Sequence, residues 1–373
     1  MLSVFPAFYV FLLLLLVAKV TGQVNSIARY VGGGTSTGGG ADADDIRLNI
    51  TYNLAWRASN SHLFILETGF HRVRNIDTSP DGYIYAGSIS GAPGFTDAAG
   101  TSGMLIFSFC TFLSNSLFCC FPSALFRFPR GMCMNANNLF IADTNNNCIR
   151  GIVLSNAAVT TIAGSCSPTN NGDVSTGSVA ANYRFNLPIS CSIDSSGSVY
   201  IGDAGNCKIK KINSAYNAMT AYGSGDCGSG DSSDLVGQPN SMFVSTDAFL
   251  YFPVYTYIKR IQLSSGIIST FAGSSTTAAF NDGTLTVQAT FVNVNGFWID
   301  SSGNMYITDG VANAGGRIRY IASGGTTIST IGGVDTSTSG GTSTTPTALA
   351  DFYINQPMGI FGNTASSSNF AVF

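Results

Sequence analysis

Histidine is almost absent: His62 and His71 are the only two in 373 residues. A catalytic zinc usually takes three protein ligands, often histidine, and keeps a fourth position open. Two histidines nine residues apart do not meet that need, so no metal ligands and no catalytic residues are expected. Charge is scarce too. Charged residues make up 10% of the chain, and 17 Lys/Arg against 20 Asp/Glu leave a net charge of −3. That excludes the basic field on which nucleic-acid binding depends. No Gly-x-Ser-x-Gly elbow stands between a strand and a helix. The runs Gly32-Gly33-Gly34 and Gly38-Gly39-Gly40 lack the Lys-Ser/Thr that completes a phosphate cradle, so no bound cofactor is expected.

What is present is glycine, 43 residues of it, with Ser, Thr and Asn between short apolar runs. This composition suits many short strands joined by tight turns. Phe128 to Gly164 shows the unit best: Met132-Cys133-Met134, then Leu139 to Asp143, then Ile149-Arg150-Gly151-Ile152, then Val159 to Gly164. Each run is strand-length and bounded by Asn or Gly, which makes a four-stranded antiparallel sheet. The unit recurs. An acid closes its second strand at Glu67, Asp143, Asp203 and Asp309, and Pro253 takes that place once. The spacings are 60 residues from Asp143 to Asp203, 50 on to Pro253 and 56 on to Asp309. A four-strand repeat of this period is the pattern of a β-propeller, whose blades bury their faces against their neighbours.

Pro-x-Gly-Met, Asn-Leu-Phe-Ile-Ala-Asp-Thr-Asn-Asn, Ile-Arg-x-Ile and Val-Thr-Thr-Ile-Ala-Gly together resemble an NHL repeat. The resemblance runs from about Ser26 to Phe373 and is clearest in the second, third and fifth units. It implies a six-bladed propeller, all-β, with four-stranded antiparallel blades, used mostly as a binding platform. The family also has a zinc-dependent lyase branch and RNA-binding members, from which the histidine and charge counts set this chain apart. The recurring acids are each followed by a base, Arg74, Arg150, Lys210 or Arg319, one strand later. A partly shielded structural ion pair that also caps a turn is expected at each.

Residues 1–22 read as a signal peptide. Phe11 to Val17 is continuously apolar, and Val20-Thr21-Gly22 suits cleavage before Gln23. An uncleaved membrane anchor is the alternative. Residues 24–373 then form the propeller. Ser26 to Gly33 resembles a closing strand with no unit of its own, and the last unit stops at Phe373 after two strands. The expectation is one blade completed by the N-terminal strand, still short of its third strand. An oxidising compartment lets cysteines pair. Cys148 with Cys166 and Cys207 with Cys227 bracket equivalent strands of adjacent units and are expected as disulfides. Cys133 and Cys191 differ by one position in register and are expected as buried thiols. Asn49-Ile50-Thr51 is a glycosylation sequon at Asn49.

Residues 103–123 interrupt the pattern. Glu67 and Asp143 are 76 residues apart, and removing these 21 restores 55. The stretch is uncharged and rich in Phe, Leu, Ser and Cys. A retained in-frame intron is the favoured reading, and a membrane span over 104–121 its rival. The functional expectation is a secreted or surface-attached platform that binds an extracellular protein or glycan, with membrane contact only if residues 1–22 or 104–121 serve as an anchor. The alternatives are a propeller lyase or lactonase and the sensor domain of an anchored protein.

Overall fold

A computed structural model describes residues 16–19, 26–29, 41–42, 51–57, 62–76, 81–88, 91–97, 124–174, 182–228, 234–246, 248–274, 278–311, 315–333, 354, 357–362 and 369–372. Asn49 and residues 103–123 lie outside them. The first three strands are β1 (Leu16–Lys19), β2 (Ser26–Arg29) and β3 (Ala41–Asp42). Blade one is β4 (Thr51–Arg57), β5 (His62–Glu67), β6 (Arg72–Ile76) and β7 (Asp81–Gly87). Blade two is β8 (Gly131–Met134), β9 (Asn138–Asp143), β10 (Cys148–Val153) and β11 (Val159–Ala163). Blade three follows with β12 (Pro188–Ile193), β13 (Val199–Asp203), β14 (Lys208–Ile212) and β15 (Met219–Tyr222). Blade four has β16 (Phe243–Val244), β17 (Phe249–Val254), β18 (Tyr257–Gln262) and β19 (Ile268–Ala272). After β20 (Gly283–Thr284) comes blade five: β21 (Val294–Ile299), β22 (Met305–Gly310), β23 (Gly316–Ile321) and β24 (Thr327–Gly332). Last come β25 (Ile360–Gly362) and β26 (Asn369–Val372).

These strands form a β-propeller. Each blade is a four-stranded antiparallel meander, and β3 and β20 add a fifth, outermost strand to blades one and five. The sequence counts six repeats. Five blades are continuous chain, and the sixth sheet is a composite of both termini in the order β2-β1-β26-β25. The innermost strands touch in the order β4, β8, β12, β16, β21, β25 and back to β4, which closes the ring. Ser26–Arg29 is the outermost strand of the last sheet, as its sequence implied. The third strand that the sequence left missing is Leu16–Lys19, inside the stretch read as a leader.

The core is divided between blades. One cluster joins Phe64, Leu66 and Val73 of blade one to Leu139, Ile141 and Ile152 of blade two, and a second joins Phe140 and Ile149 to Val199 and Ile201. Burial of the second strands, all of β13 and all but the first residue of β9, explains their unbroken apolar runs. Hydroxyls bind the first four blades in series. Thr68 donates to the Pro129 carbonyl, Thr144 to that of Pro188 at 2.7 Å and Ser190 to that of Pro239 at 2.5 Å. The closing Ala-Gly also has a cause. Gly164 sits at φ 86°, where an added Cβ would lie 2.8 Å from the Asn147 carbonyl oxygen.

Candidate functional site

The recurring acids are buried, not partly shielded. Glu67, Asp143, Asp203 and Asp309 are each 0% exposed. Glu67 accepts from Arg72 at 2.6 Å and Arg74 at 3.1 Å; Asp143 pairs with Arg150 at 3.3 Å, Asp203 with Lys210 at 2.7 Å and Asp309 with Arg319 at 2.9 Å. Each of the three aspartates also holds the lead-in to its blade's first strand by accepting a backbone N–H: Arg127 at 2.7 Å, Asn186 at 2.7 Å, Val292 at 2.8 Å and Asn293 at 2.9 Å.

Sequence reasoning missed a second acid. Arg150 reaches Asp97 at 2.6 Å, Lys210 reaches Asp173 at 3.0 Å and Arg319 reaches Asp282 at 2.9 Å. Asp97 and Asp282 in turn accept from the Thr161 and Thr330 hydroxyls on the outermost main strand. Each base therefore clamps the linker before its blade to the blade itself. The signal was an Asp in every linker, but the insertion after Asp97 hid its regular spacing. Burial pushes the Asp143 and Asp309 carboxyls up to about 6 against the hydrogen bonds and guanidinium that favour the charged form, and raises Asp203 in the same way.

Both histidines serve blade one. His62 bonds Asn75 at 2.8 Å, and His71 accepts the Phe128 N–H at 3.0 Å. Burial, then the nearby Arg127 charge, lowers the His71 pKa. Among the described residues no three His, Cys, Asp or Glu gather as a metal site, and no helix is long and apolar enough to cross a membrane.

Cys148–Cys166 and Cys207–Cys227 are disulfides, with Cα atoms 4.9 and 5.2 Å apart. Cys133–Cys191 is a third, at 5.6 Å, and corrects the expectation of free thiols. Cys133 lies opposite Phe140 and Cys191 opposite Ile201, so the one-position offset is real. Neighbouring blades, however, pack front face against back face. Side chains that meet between them must leave opposite faces of their own sheets, and a one-residue offset supplies that.

The bridge lines the cavity on the ring axis. This cavity holds about 370 Å³ and is walled by the innermost strands and their lead-ins, including Asn53, Met132, Ser192, Asn240, Trp298 and Met358. Its described lining contains amides, hydroxyls, thioethers, a disulfide and hydrocarbon, with no ionisable side chain.

The NHL repeat pattern matches residues 126–152, from Phe126 through Ile152. The chain is a β-propeller, and one of its repeats matches the NHL repeat. No curated protein matches it. Among solved structures, this chain resembles a protein of unknown function from Bacteroides thetaiotaomicron at 14% identity and TM-score 0.57, over 96% of this chain and 90% of that one. An auxiliary nutrient binding protein from the same organism is 12% identical with TM-score 0.57, over 96% and 76% of the two chains. Virginiamycin B lyase from Staphylococcus aureus is 13% identical, over 94% and 87%, with TM-score 0.49. At these identities the likeness is one of fold.

Proposed function

We propose that the protein is a non-enzymatic binding platform, secreted or held at the cell surface, for an extracellular protein or glycan. The axial cavity carries this reading. A lyase or lactonase needs titratable groups or metal ligands converging where substrate sits. Here the recurring acids and bases are sealed inside the blades, and the described cavity wall is neutral. Three disulfides fit an oxidising compartment.

The binding end is the one that carries the turns between second and third strands. Tyr255 is exposed in the β17–β18 turn, and Val311 follows β22. Phe128 packs on His71 of the β5–β6 turn at 4.4 Å. The Leu187 N–H bonds Asn147 of the β9–β10 turn at 3.0 Å, and Asn146 of that turn donates to Gly94 beside the exposed Phe95. Apolar side chains from several blades thus ring one mouth, a pattern of interaction surfaces. A glycan and extracellular-protein array probed with the purified protein tests this. Phe128→Ser/Leu187→Ser/Tyr255→Ser should abolish capture with little change in melting temperature. Equal capture by that variant, or turnover of an array compound, would refute the reading.

A further inference from the structure

The neutral axial cavity has its own unfilled hydrogen-bonding groups. Among its wall residues, Asn295 is already engaged: its amide donates to the Gly310 carbonyl at 2.7 Å and its oxygen accepts from Asn293 at 2.6 Å. Ser192 accepts the Val244 N–H at 2.9 Å. Asn53, Asn240 and Ser241 are different, because none has a side-chain hydrogen bond among the described residues while all three line the cavity. Trp298 is a fourth. It is 1% exposed, stacks on Tyr306 at 5.3 Å, lines the cavity and has an indole N–H with no partner. A buried donor left unpaired is uncommon, and this one belongs to a ring on the cavity wall, where it can report on what binds.

The placement of these groups is informative. The innermost strands follow one another as β4, β8, β12, β16, β21 and β25, so blades one and four stand across the axis. Asn53 belongs to β4, and Asn240 and Ser241 lead into β16. Free amides therefore face the axis from opposite walls, with Met132, Phe243, Phe297 and Ile360 between them. A volume of about 370 Å³ lies in the range of small-molecule sites. An anion or cation entering it would lose its hydration and meet no counter-charge on the described wall, which is heavily disfavoured. A purely apolar molecule would strand the amides. A neutral molecule with hydroxyls around an apolar ring satisfies both.

We propose that the axial cavity binds one uncharged sugar ring between Asn53 on one wall and Asn240 and Ser241 on the opposite wall, beside the Trp298 indole. This rests on the platform reading and names a ligand class for its channel. The chain's two tryptophans make a direct test possible. The indole N–H resonances of ¹⁵N-labelled protein are assigned with Trp56→Phe, then titrated with methyl glucoside, methyl galactoside and N-acetylglucosamine, and with glucuronate as the charged match. Expected is a saturable shift of the Trp298 resonance with at least one neutral sugar. Asn53→Ala/Asn240→Ala, and separately Ser241→Ala, should weaken it about tenfold, and glucuronate should bind about tenfold more weakly than its neutral counterpart. No shift with any neutral sugar, or equal binding of glucuronate, overturns the proposal. The loop-end triple variant leaves the cavity untouched. Loss of the Trp298 shift with array capture intact faults this inference alone, and the converse faults the platform reading alone.

Discussion

Excising residues 103–123 should leave the propeller folded and slightly more stable. The flanks of this stretch are locked into the same arrangement that blade five makes without an insertion. Gly94 N–H donates to the Phe126 carbonyl at 3.0 Å and Leu125 N–H to that of Thr96 at 3.3 Å; in blade five Ala279 donates to Phe291 at 3.3 Å and Thr290 to Asn281 at 3.2 Å. Asp97 meets Arg150 and Thr161 as Asp282 meets Arg319 and Thr330. Between Asp97 and Leu125 lie 27 residues, and between Asp282 and Thr290 only 7. Taking 21 away leaves 6, close to the blade-five loop. Closing a loop of 6 rather than 27 residues saves (3/2)RT ln(27/6), about 1.3 kcal/mol. In a domain of this size that amounts to roughly 2 °C in melting temperature. Urea melts and calorimetry of the full and excised chains measure it. An excised chain that fails to fold, or melts below the full one, refutes the reasoning, because the segment would then be part of the blade array. Spliced message retaining these 63 nucleotides in every clone would separately sink the intron reading.

Arg319→Met strands the buried Asp309 beside Asp282 and should cost about 3–5 kcal/mol by urea denaturation, with Arg319→Lys recovering part of it. Non-reducing peptide mapping should recover all three disulfides. Loss of Cys133–Cys191, which closes a 58-residue loop, should cost about 4 kcal/mol, and loss of Cys148–Cys166, which closes 18, about 3. Asp143 and Asp309 titrate near 6 when folded and near 3.9 when unfolded, so the folded chain binds more protons between those values. Their contribution to stability is full below about pH 4 and is lost as pH rises through 6. Carboxyl NMR finding either group below 4 refutes it. Truncation of residues 1–22 removes β1, the only partner of β2 among the described residues, so amides 27–29 should exchange freely; retained protection would show that β2 pairs elsewhere.

Much of the fold was legible because its two signals are local. Strand-length apolar runs bounded by Asn and Gly located the blades, and the acid ending each second strand gave the period. The base one strand later told of an ion pair, since Asp143 and Arg150 are neighbours through one turn. Less local facts were hidden. Asp97, Asp173 and Asp282 act from linkers whose lengths vary, and nothing in the sequence says that Arg150 can reach both of its acids. Cys133–Cys191 was misread because register was compared within sheets, whereas the bridge forms between them. Leu16–Lys19 looks like leader because an apolar run flanked by small residues serves either use. A chain cut before Gln23 cannot also place that strand between β26 and β2.

The neutrality of the channel follows from where the charges went. A propeller strand at the axis has a sheet partner on one side only, and its lead-in must be held by something other than that partner. Here that task falls to Asp143, Asp203 and Asp309, which reach inward from the end of the second strand to backbone N–H groups of the lead-in. Such a carboxylate must be buried to do this, and a buried carboxylate needs a cation, which the third strand supplies. The cation has further donors to satisfy, and the linker acid takes them. One blade thus consumes two acids and a base in positioning its own innermost strand. In a chain with 37 charged side chains, that leaves few for the axis. Blade four bears this out from the other side. With Pro253 in place of the acid, its innermost strand is only Phe243–Val244, and the residues leading into it present Asn240 and Ser241 to the cavity. The blade without the acid thus puts a free amide and a free hydroxyl at the axis, across from the Asn53 amide of blade one.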